Sequence, residues 1–352
     1  MHKILSYNDS LPFYPTDYKT FHYPMSAGTI SYTKRYFEIN NNITFVLTNH
    51  HPQLMFKGLI AINHQDRYIY QREDSVRDSV VRYGFLMVNN KLQLTPDHIV
   101  AVKKYNYLFE ELNFLEYPLM LYDECSEDDI FLPIYFRCQY EGKKSSQLLV
   151  MPYANMDFPN NMNTFFQMTA INLELLHKRQ IFFQDFKLQN TVYYHKSSYF
   201  IDIDHLCRFK DCNDMLNKNM DFFGGTYYPP EVELYRQGQA ITIEPDKVDV
   251  WAFGIELLEY YKNKYKWNIS NPYCNNQSIV SWQQSTKTYL QEKFNQLFTL
   301  NKKFCRFQTI QIKLYLLDLI LNCLSNQESR FNISKVNQHH FWKKANSTKK
   351  VS

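Results

Sequence analysis

Apolar and polar positions repeat with two different periods along the chain, and the period changes near the middle. Between residues 32 and 71, short β-branched and aromatic segments are separated by Asn-rich or polar breaks, which is typical of strands joined by hairpins. VVRYGFLMV and KLQLT, joined by Asn89-Asn90, and then HIVAVKKY continue the strand pattern. A helical pattern follows at about residues 106–117. The first half therefore predicts mainly β structure.

After Met151, apolar residues recur at spacings of three and four, which is typical of helices with one buried face. The segments that show this period are FFQMTAINLELLH, VDVWAFGIELLEYYKNKY and IQIKLYLLDLILNCL. The chain as a whole is predicted to be α+β, with a β-rich first part and a larger α-helical second part.

Composition and charge exclude several classes of protein. The 39 Lys and Arg residues against 35 Asp and Glu give a net charge of +4, too small over 352 residues to indicate nucleic-acid binding. The seven cysteines are scattered and form no C-x-x-C pair, so neither a disulfide framework, a disulfide-linked oligomer nor a zinc site is expected. No segment has the ~20 apolar residues that span a bilayer. We expect an intracellular, cytoplasmic protein without membrane insertion.

The segment IFFQDFKLQN carries the candidate chemistry, together with Asp202 in the FIDID stretch that follows it. Phosphoryl transfer requires a carboxylate near the acceptor hydroxyl and oxygen ligands for the magnesium that bridges the phosphates. Asp185, Asn190 and Asp202 could supply that set of groups.

This segment resembles the catalytic and metal-binding loops of the eukaryotic protein kinases, in which D-x-K-x-x-N is followed by I-D-F-G. The resemblance implies that Asp185 is the catalytic base, that Lys187 steadies the transferred phosphoryl group, and that Asn190 and Asp202 hold Mg²⁺. A lysine at this place is typical of the Ser/Thr-specific branch. The implied function is ATP-dependent phosphoryl transfer to Ser or Thr of a protein substrate, with ATP and Mg²⁺ as cofactors.

Three further segments follow in the order of the family. YYPPE, DVWAFG and ESR are similar to its A-P-E box, the start of its D-V-W-x-x-G helix and its late arginine. The resemblance implies a buried ion pair between Glu231 and Arg330. It also implies that Asp249 braces the catalytic loop by accepting its backbone N–H groups.

The resemblance also implies the domain organisation. A two-lobed kinase-like domain is expected over residues 78–345, with a β-rich N-lobe at 78–150 and a helical C-lobe at 155–345. Residues 1–77 are expected to form a β-rich N-terminal extension, and residues 346–352 a basic tail.

The phosphate-binding lysine is expected in VAVK, which resembles the family's V-A-I-K strand and ends at Lys103. The glutamate that pairs with this lysine is expected on the following helix, at Glu116 or alternatively at Glu111. Pro118, close behind Glu116, is expected to end or kink that helix. The glycine-rich loop over the phosphates is missing from the sequence, and Gly84 is its one remaining glycine.

The adenine-binding hinge is expected in LVMPYA, which is similar to the family's V-M-E-Y-x. Adenine would then bond to the carbonyl of Pro152 and the N–H of Ala154, because proline lacks a donor but keeps its acceptor. Ala101 and Val192 occupy the places that sandwich the adenine ring in the family.

Departures from the family pattern leave two interpretations open. Phe183-Gln184 replaces the family's His-Arg, and Asp204 replaces the glycine of the metal loop, where it could ligate a cation or form a turn. The chain is therefore either an active Ser/Thr protein kinase or a pseudokinase that binds protein partners with little or no transfer. A small-molecule kinase is a third and weaker interpretation, since such enzymes lack the YYPPE-like and DVWAFG-like landmarks.

Overall fold

The structure, a computed structural model, describes residues 22–25, 28–31, 36–40, 43–48, 78–88, 91–92, 99–107, 116–134, 136–140, 145–152, 154, 161–211, 227–274, 277–303 and 308–347. The chain divides into two compact units. The first comprises Met1–Leu115 and Leu132–Asp157, and the second comprises Glu116–Phe131 and Phe158–Ser352.

The first unit is built from antiparallel strands. Its strands are β1 (His22–Met25), β2 (Gly28–Ser31), β3 (Tyr36–Asn40), β4 (Ile43–Thr48), β5 (Asp78–Val88), β6 (Lys91–Leu92), β7 (Ile99–Tyr107), β8 (Phe136–Tyr140) and β9 (Ser145–Pro152).

Most of these strands form one sheet. Within the described residues it has seven strands in the order β3-β4-β5-β7-β9-β8, with β6 against β5. Val88 pairs with Lys91, as the predicted hairpin at Asn89-Asn90 requires. β4 pairs with β5 from Ile43 to Thr48, so two strands of the predicted N-terminal extension share a sheet with the predicted kinase-like domain. The division at residue 77 stays a prediction, and the predicted strands LMFKGLIAI and RYIYQ lie outside the described residues.

The helix predicted at about residues 106–117 is wrong at its first two residues, and residues 108–115 lie outside the described part of the chain. β7 continues to Tyr107, and the helix α1 runs from Glu116 to Glu124. Pro118 therefore lies in the first turn of a helix and does not end one. Proline is tolerated there because the N–H groups of the first turn have no acceptor within the helix.

The second unit is mainly helical. The three predicted helices are confirmed as α2 (Met162–Lys178), α4 (Pro245–Tyr265) and α6 (Gln308–Cys323). Its other named helices are the short α3 (Pro230–Arg236), the 25-residue α5 (Ile279–Lys303), α7 (Ile333–Gln338) and α8 (His340–Ser347).

Four short strands of the second unit carry the candidate site. They are β10 (Ile181–Phe182), β11 (Thr191–Tyr194), β12 (Ser197–Phe200) and β13 (Cys207–Arg208), which form the antiparallel pairs β10–β13 and β11–β12. A core cluster of Phe182, Cys207, Val232, Ile243 and Val248 packs beneath β10 and β13. The strands that position the site are thus fixed to the helical core.

The described cysteines differ in their bonding state. Cys125 and Cys323 are buried free thiols, and burial raises the pKa of Cys125 to about 11 and that of Cys323 to about 12, so both stay protonated. Cys207 is disulfide-bonded, which the scattered cysteines did not predict.

In the described part of the chain, no helix is both long and apolar enough to cross a bilayer.

Candidate active site

The 181–190 segment connects α2 to the β11–β12 hairpin. It begins in β10 and ends in a 3₁₀ turn at Leu188–Asn190. The N–H of Asn190 donates to the carbonyl of Lys187 over 2.9 Å, and this bond closes the turn. The turn brings the side chains at positions 185 and 190 to the same side of the segment.

Asp185, Lys187 and Asn190 form one hydrogen-bonded cluster. The side-chain nitrogen of Asn190 donates to the backbone oxygen of Asp185 at 2.9 Å and to its Oδ2 at 3.0 Å. Lys187 Nζ lies 2.6 Å from the same Oδ2. Because the Asn190 nitrogen makes both bonds, the side-chain oxygen of Asn190 is the atom that could ligate a metal.

Asp202 is placed beside this cluster by the backbone. Thr191 pairs with Phe200 across the β11–β12 hairpin, and the N–H of Ile201 donates to the carbonyl of Asn190 over 3.0 Å. Asp202 is the next residue, so it leaves the hairpin at the end where the 181–190 segment enters it. The four residues predicted to act in phosphoryl transfer thus lie in the two segments that meet at one end of this hairpin.

Asp249, at the start of α4, holds the residues before Asp185. Its Oδ2 accepts from the N–H of Phe183 and its Oδ1 from the N–H of Gln184, both at 3.0 Å. The Nε2 of His177 lies 2.9 Å from Oδ2. Burial raises the pKa of Asp249, and the three hydrogen bonds oppose that rise by favouring the carboxylate.

Aromatic packing fixes the same segment from its apolar side. The rings of Phe183 and Phe200 stack with centroids 4.4 Å apart, and Phe186 contacts Phe253 of α4 at 5.7 Å. Phe183 stands where the family has histidine. Here its ring packs into the core, while its backbone N–H makes the bond to Asp249.

Gln184, in the place of the family's arginine, is conformationally unusual. It is 4% exposed, its φ is +73°, and neither polar atom of its side chain has a hydrogen-bond partner among the described residues. A left-handed conformation costs a non-glycine residue about 1–2 kcal/mol. The bond from its N–H to Asp249 helps to offset that cost.

Glu231 and Arg330 form a buried ion pair between α3 and the segment after α6. The guanidinium contacts both carboxylate oxygens, at 2.6 Å and 3.0 Å. Arg330 also lies over the ring of Trp251, 5.0 Å from its centroid, and donates to the carbonyl of Lys247. The pair thereby fixes α3 to the start of α4.

Asp204, the replacement for the family's metal-loop glycine, lies in a turn. The N–H of Leu206 donates to the carbonyl of Ile203 over 3.1 Å, which closes the turn around Asp204. The sequence left open whether Asp204 ligates a cation or forms a turn. The structure shows it in a turn.

The residues predicted to bind phosphate and adenine are divided between the two units. Lys103 is buried on β7 of the first unit, and in the sheet it pairs with Val81 and Leu149. Gly84 lies on β5 of that unit, whereas Glu116 is the first residue of α1 in the second unit. The pairing of Lys103 with Glu116 stays a prediction, and Glu111 lies outside the described residues.

Within the first unit, the predicted adenine-binding residues are neighbours in the sheet. Ala101 of β7 pairs with Met151 of β9, the residue before the buried Pro152, and Ala154 follows two residues later. Val192, the remaining member of the set, is buried on β11 of the second unit. That these residues share one adenine ring stays a prediction.

Glu256 is a residue of the candidate site that the sequence motifs did not predict. This carboxylate on α4 is 5% exposed, and its Oε1 accepts from the backbone N–H of Leu188 over 2.9 Å. A signal was present, because Glu256 follows Asp249 by seven residues, or about two helical turns, and therefore lies on the same face of α4.

The donor set fits a magnesium site of the kind that shares its ligands with phosphates. Among the described residues, no group of three or more His, Cys, Asp or Glu side chains could hold a metal by itself. Magnesium does not require one, since it commonly binds one or two carboxylates together with substrate phosphates and water. Asp202 and the side-chain oxygen of Asn190 would be the protein's contribution.

Comparisons with known proteins agree with this geometry. The model of the protein kinase domain family matches residues 134–342, which is more than half of the 352-residue chain. No curated protein matches the sequence. One matching solved structure is the autoinhibited serine kinase domain of the giant muscle protein titin, with 14% identity and a TM-score of 0.50, covering 75% of this chain and 76% of that chain. At this identity the likeness shows the fold alone, and it confirms the predicted α+β class.

Proposed function

Because the chain belongs to the eukaryotic protein kinase superfamily, we propose that it transfers the γ-phosphoryl group of ATP to Ser or Thr hydroxyls of protein substrates. The observation that carries the proposal is the cluster in which Lys187 Nζ and the Asn190 side-chain nitrogen both contact Oδ2 of Asp185, at 2.6 Å and 3.0 Å. This arrangement combines a proton acceptor, a cation and a metal ligand within one short segment.

Each residue of the cluster has a distinct role in the proposed reaction. Asp185 accepts the proton of the substrate hydroxyl, and Lys187 stabilises the negative charge on the oxygens of the phosphoryl group in flight. Asn190 fixes the orientation of Asp185 through one hydrogen bond to its carboxylate and one to its backbone oxygen. Magnesium held by Asn190 and Asp202 would neutralise phosphate charge and orient the nucleotide.

Nucleotide binding is proposed to use Lys103 for the α and β phosphates. Ala101, Pro152, Ala154 and Val192 are proposed to surround the adenine. The preference for Ser and Thr rests on Lys187, and peptides that differ only in a Ser, Thr or Tyr acceptor test it. Equal transfer to the Tyr peptide would contradict the preference.

The proposal is tested first by nucleotide binding. ATP with Mg²⁺ at a hundredfold excess over its dissociation constant stabilises a protein by about 2.7 kcal/mol, which appears as an increase in melting temperature. We expect this increase to require Mg²⁺. No change in melting temperature at millimolar Mg-ATP would rule out an ATP-dependent enzyme.

Phosphoryl transfer is tested with Asp185→Asn. This variant is expected to keep nucleotide binding and to lose transfer to a generic basic protein by at least about 100-fold, because it lacks the proton acceptor. Asp128→Asn is the matched control, since Asp128 is an ion-paired carboxylate that contacts Arg179 and no residue of the 181–190 segment. Transfer by Asp185→Asn equal to wild type would refute the role of Asp185.

A second candidate function is that of a pseudokinase that binds protein partners. It is favoured by Gln184, which replaces the family's arginine with a left-handed backbone and a side chain that has no hydrogen-bond partner in the described part of the chain. This function predicts that the wild type binds Mg-ATP weakly or not at all and that transfer is no greater in the wild type than in Asp185→Asn.

A further inference from the structure

We propose that Glu256 is a positioning residue for phosphoryl transfer, which holds the backbone immediately after Asp185 and thereby fixes Lys187. This inference rests on the proposed function, because it assigns a role in that reaction to a residue outside the D-x-K-x-x-N motif.

The argument begins with two carboxylates on one face of α4. Asp249 and Glu256 are separated by seven residues, so they lie about two turns apart on the same side of the helix. Asp249 accepts the N–H groups of Phe183 and Gln184, and Glu256 accepts the N–H of Leu188. A single helix therefore holds the 181–190 segment on both sides of Asp185.

The burial of Glu256 indicates that its carboxylate has a task beyond packing. A buried carboxylate is costly unless it is bonded, and leucine would fill much of the same space without that cost. The ionised form of this carboxylate is favoured by the N–H of Leu188, the hydroxyl of Tyr227 and the nearby charge of Lys187. The negative charge of Glu259 disfavours it. Burial, the largest influence, raises the pKa of Glu256 to about 7.

The contacts of Glu256 join the 181–190 segment to the chain just before α3. Leu188 directly follows Lys187, whose amine contacts the Asp185 carboxylate, and Tyr227 lies three residues before α3. If the Leu188 peptide turned, the Lys187 backbone would turn with it. A displacement of about 1 Å in a catalytic group can cost about 100-fold in rate.

Two variants of Glu256 separate the hydrogen bond from the charge. Glu256→Leu removes both, whereas Glu256→Gln keeps an oxygen that can accept from Leu188 and removes only the charge. We expect kcat to fall by about tenfold to 100-fold in the leucine variant and by less than about threefold in the glutamine variant, with the KM for ATP changed little in either. Glu174→Gln is the control, because its carboxylate contacts Lys178 and Asn337 and no residue of the 181–190 segment.

A second measurement does not depend on activity. Hydrogen–deuterium exchange of the peptide that contains Leu188 is expected to accelerate in Glu256→Leu and to stay close to wild type in Glu256→Gln and Glu174→Gln. If the wild type transfers no phosphate, the proposed function fails, and this exchange still decides whether Glu256 holds the segment.

Two results would overturn the inference. One is exchange near Leu188 that is unchanged in a folded Glu256→Leu variant. The other is a kcat of that variant within twofold of wild type. If the leucine variant does not fold, Tyr227→Phe replaces it, because this change removes the other hydrogen bond to the same carboxylate. Unchanged kcat and unchanged exchange near Leu188 in Tyr227→Phe would then contradict the role.

Discussion

Glu231 and Asp249 are both buried carboxylates of the second unit, yet they are compensated in different ways. Glu231 faces the guanidinium of Arg330 through two contacts, 99 residues away along the chain. Asp249 instead accepts two backbone N–H groups and contacts the ring nitrogen of His177. The first arrangement holds distant parts of the fold together, whereas the second sets the path of a loop. Glu256 resembles Asp249 in this respect, so the buried acids of α4 serve geometry more than stability.

The largest expected effect comes from breaking the ion pair. Arg330→Met leaves the buried Glu231 without its cation and is expected to reduce the free energy of unfolding by about 3–5 kcal/mol in urea denaturation. The double variant with Glu231→Gln should recover part of that loss. A loss below about 1 kcal/mol in the single variant would show that the pair contributes little to the fold.

The pH dependence of stability tests whether the pKa of Glu256 is raised in the folded protein. The charged and titratable groups that face Glu256 are Lys187, Tyr227 and Glu259. Its folded-state pKa of about 7 lies above the ordinary value of 4.5, so the folded protein binds this proton more tightly than the unfolded chain. The resulting stabilisation is complete below about pH 4.5 and is lost as the pH rises through about 7. At about 1.4 kcal/mol per pKa unit, the wild type should lose about 3 kcal/mol relative to Glu256→Gln over this range.

The measurement is urea unfolding of the two proteins at several pH values. The difference between them isolates Glu256 from the other titrating groups. Parallel curves for the two proteins would show that Glu256 does not titrate in this range.

Asp249→Asn removes one acceptor and the charge, and it is expected to cost about 1.5–3 kcal/mol of stability. Because the weakened bonds hold Phe183 and Gln184, next to Asp185, kcat should fall by more than the smaller folded fraction of the variant explains. Measuring kcat per folded molecule checks the point. Lower stability with an unchanged kcat would show that Asp249, like Glu231, stabilises the fold and does not position the catalytic segment.

The smallest effects are expected at two glycines away from the buried acids, Gly254 where α4 packs on α6 and Gly238 in open space. A methyl group at Gly254 would lie 2.6 Å from Cβ of Cys323, so Gly254→Ala is expected to reduce the free energy of unfolding by about 1–3 kcal/mol through overpacking. Gly238→Ala, at φ +85° in open space, should cost about 1 kcal/mol through backbone strain alone. Equal melting temperatures for Gly254→Ala and wild type would show that the two helices can separate at no cost.

Sequence patterns predicted those parts of the fold in which local periodicity is strong. The helices α2, α4 and α6 follow from apolar spacing, and β5 and β6 from an Asn-Asn break. The prediction that Pro118 ends or kinks the helix was wrong, because proline is compatible with the first turn of a helix as well as with its end.

Motif spacing also brought out Asp185, Lys187 and Asn190, which lie within six residues of one another and whose contacts depend on local backbone geometry. Glu256 escaped notice, since the bond from the Leu188 N–H joins residues 68 positions apart. No short segment contains both partners.

The sequence alone determined which residue types are available for phosphoryl transfer and which stretches become helices or strands, because these depend on nearest neighbours and period. The resemblance to the kinases already implied that Asp249 braces the 181–190 segment and that Glu231 meets Arg330. Only the tertiary structure gave the distances of these contacts and showed that α4 supports the same segment a second time at Glu256. Those contacts depend on packing between distant segments, where the burial of a carboxylate and the position of its donors are set together.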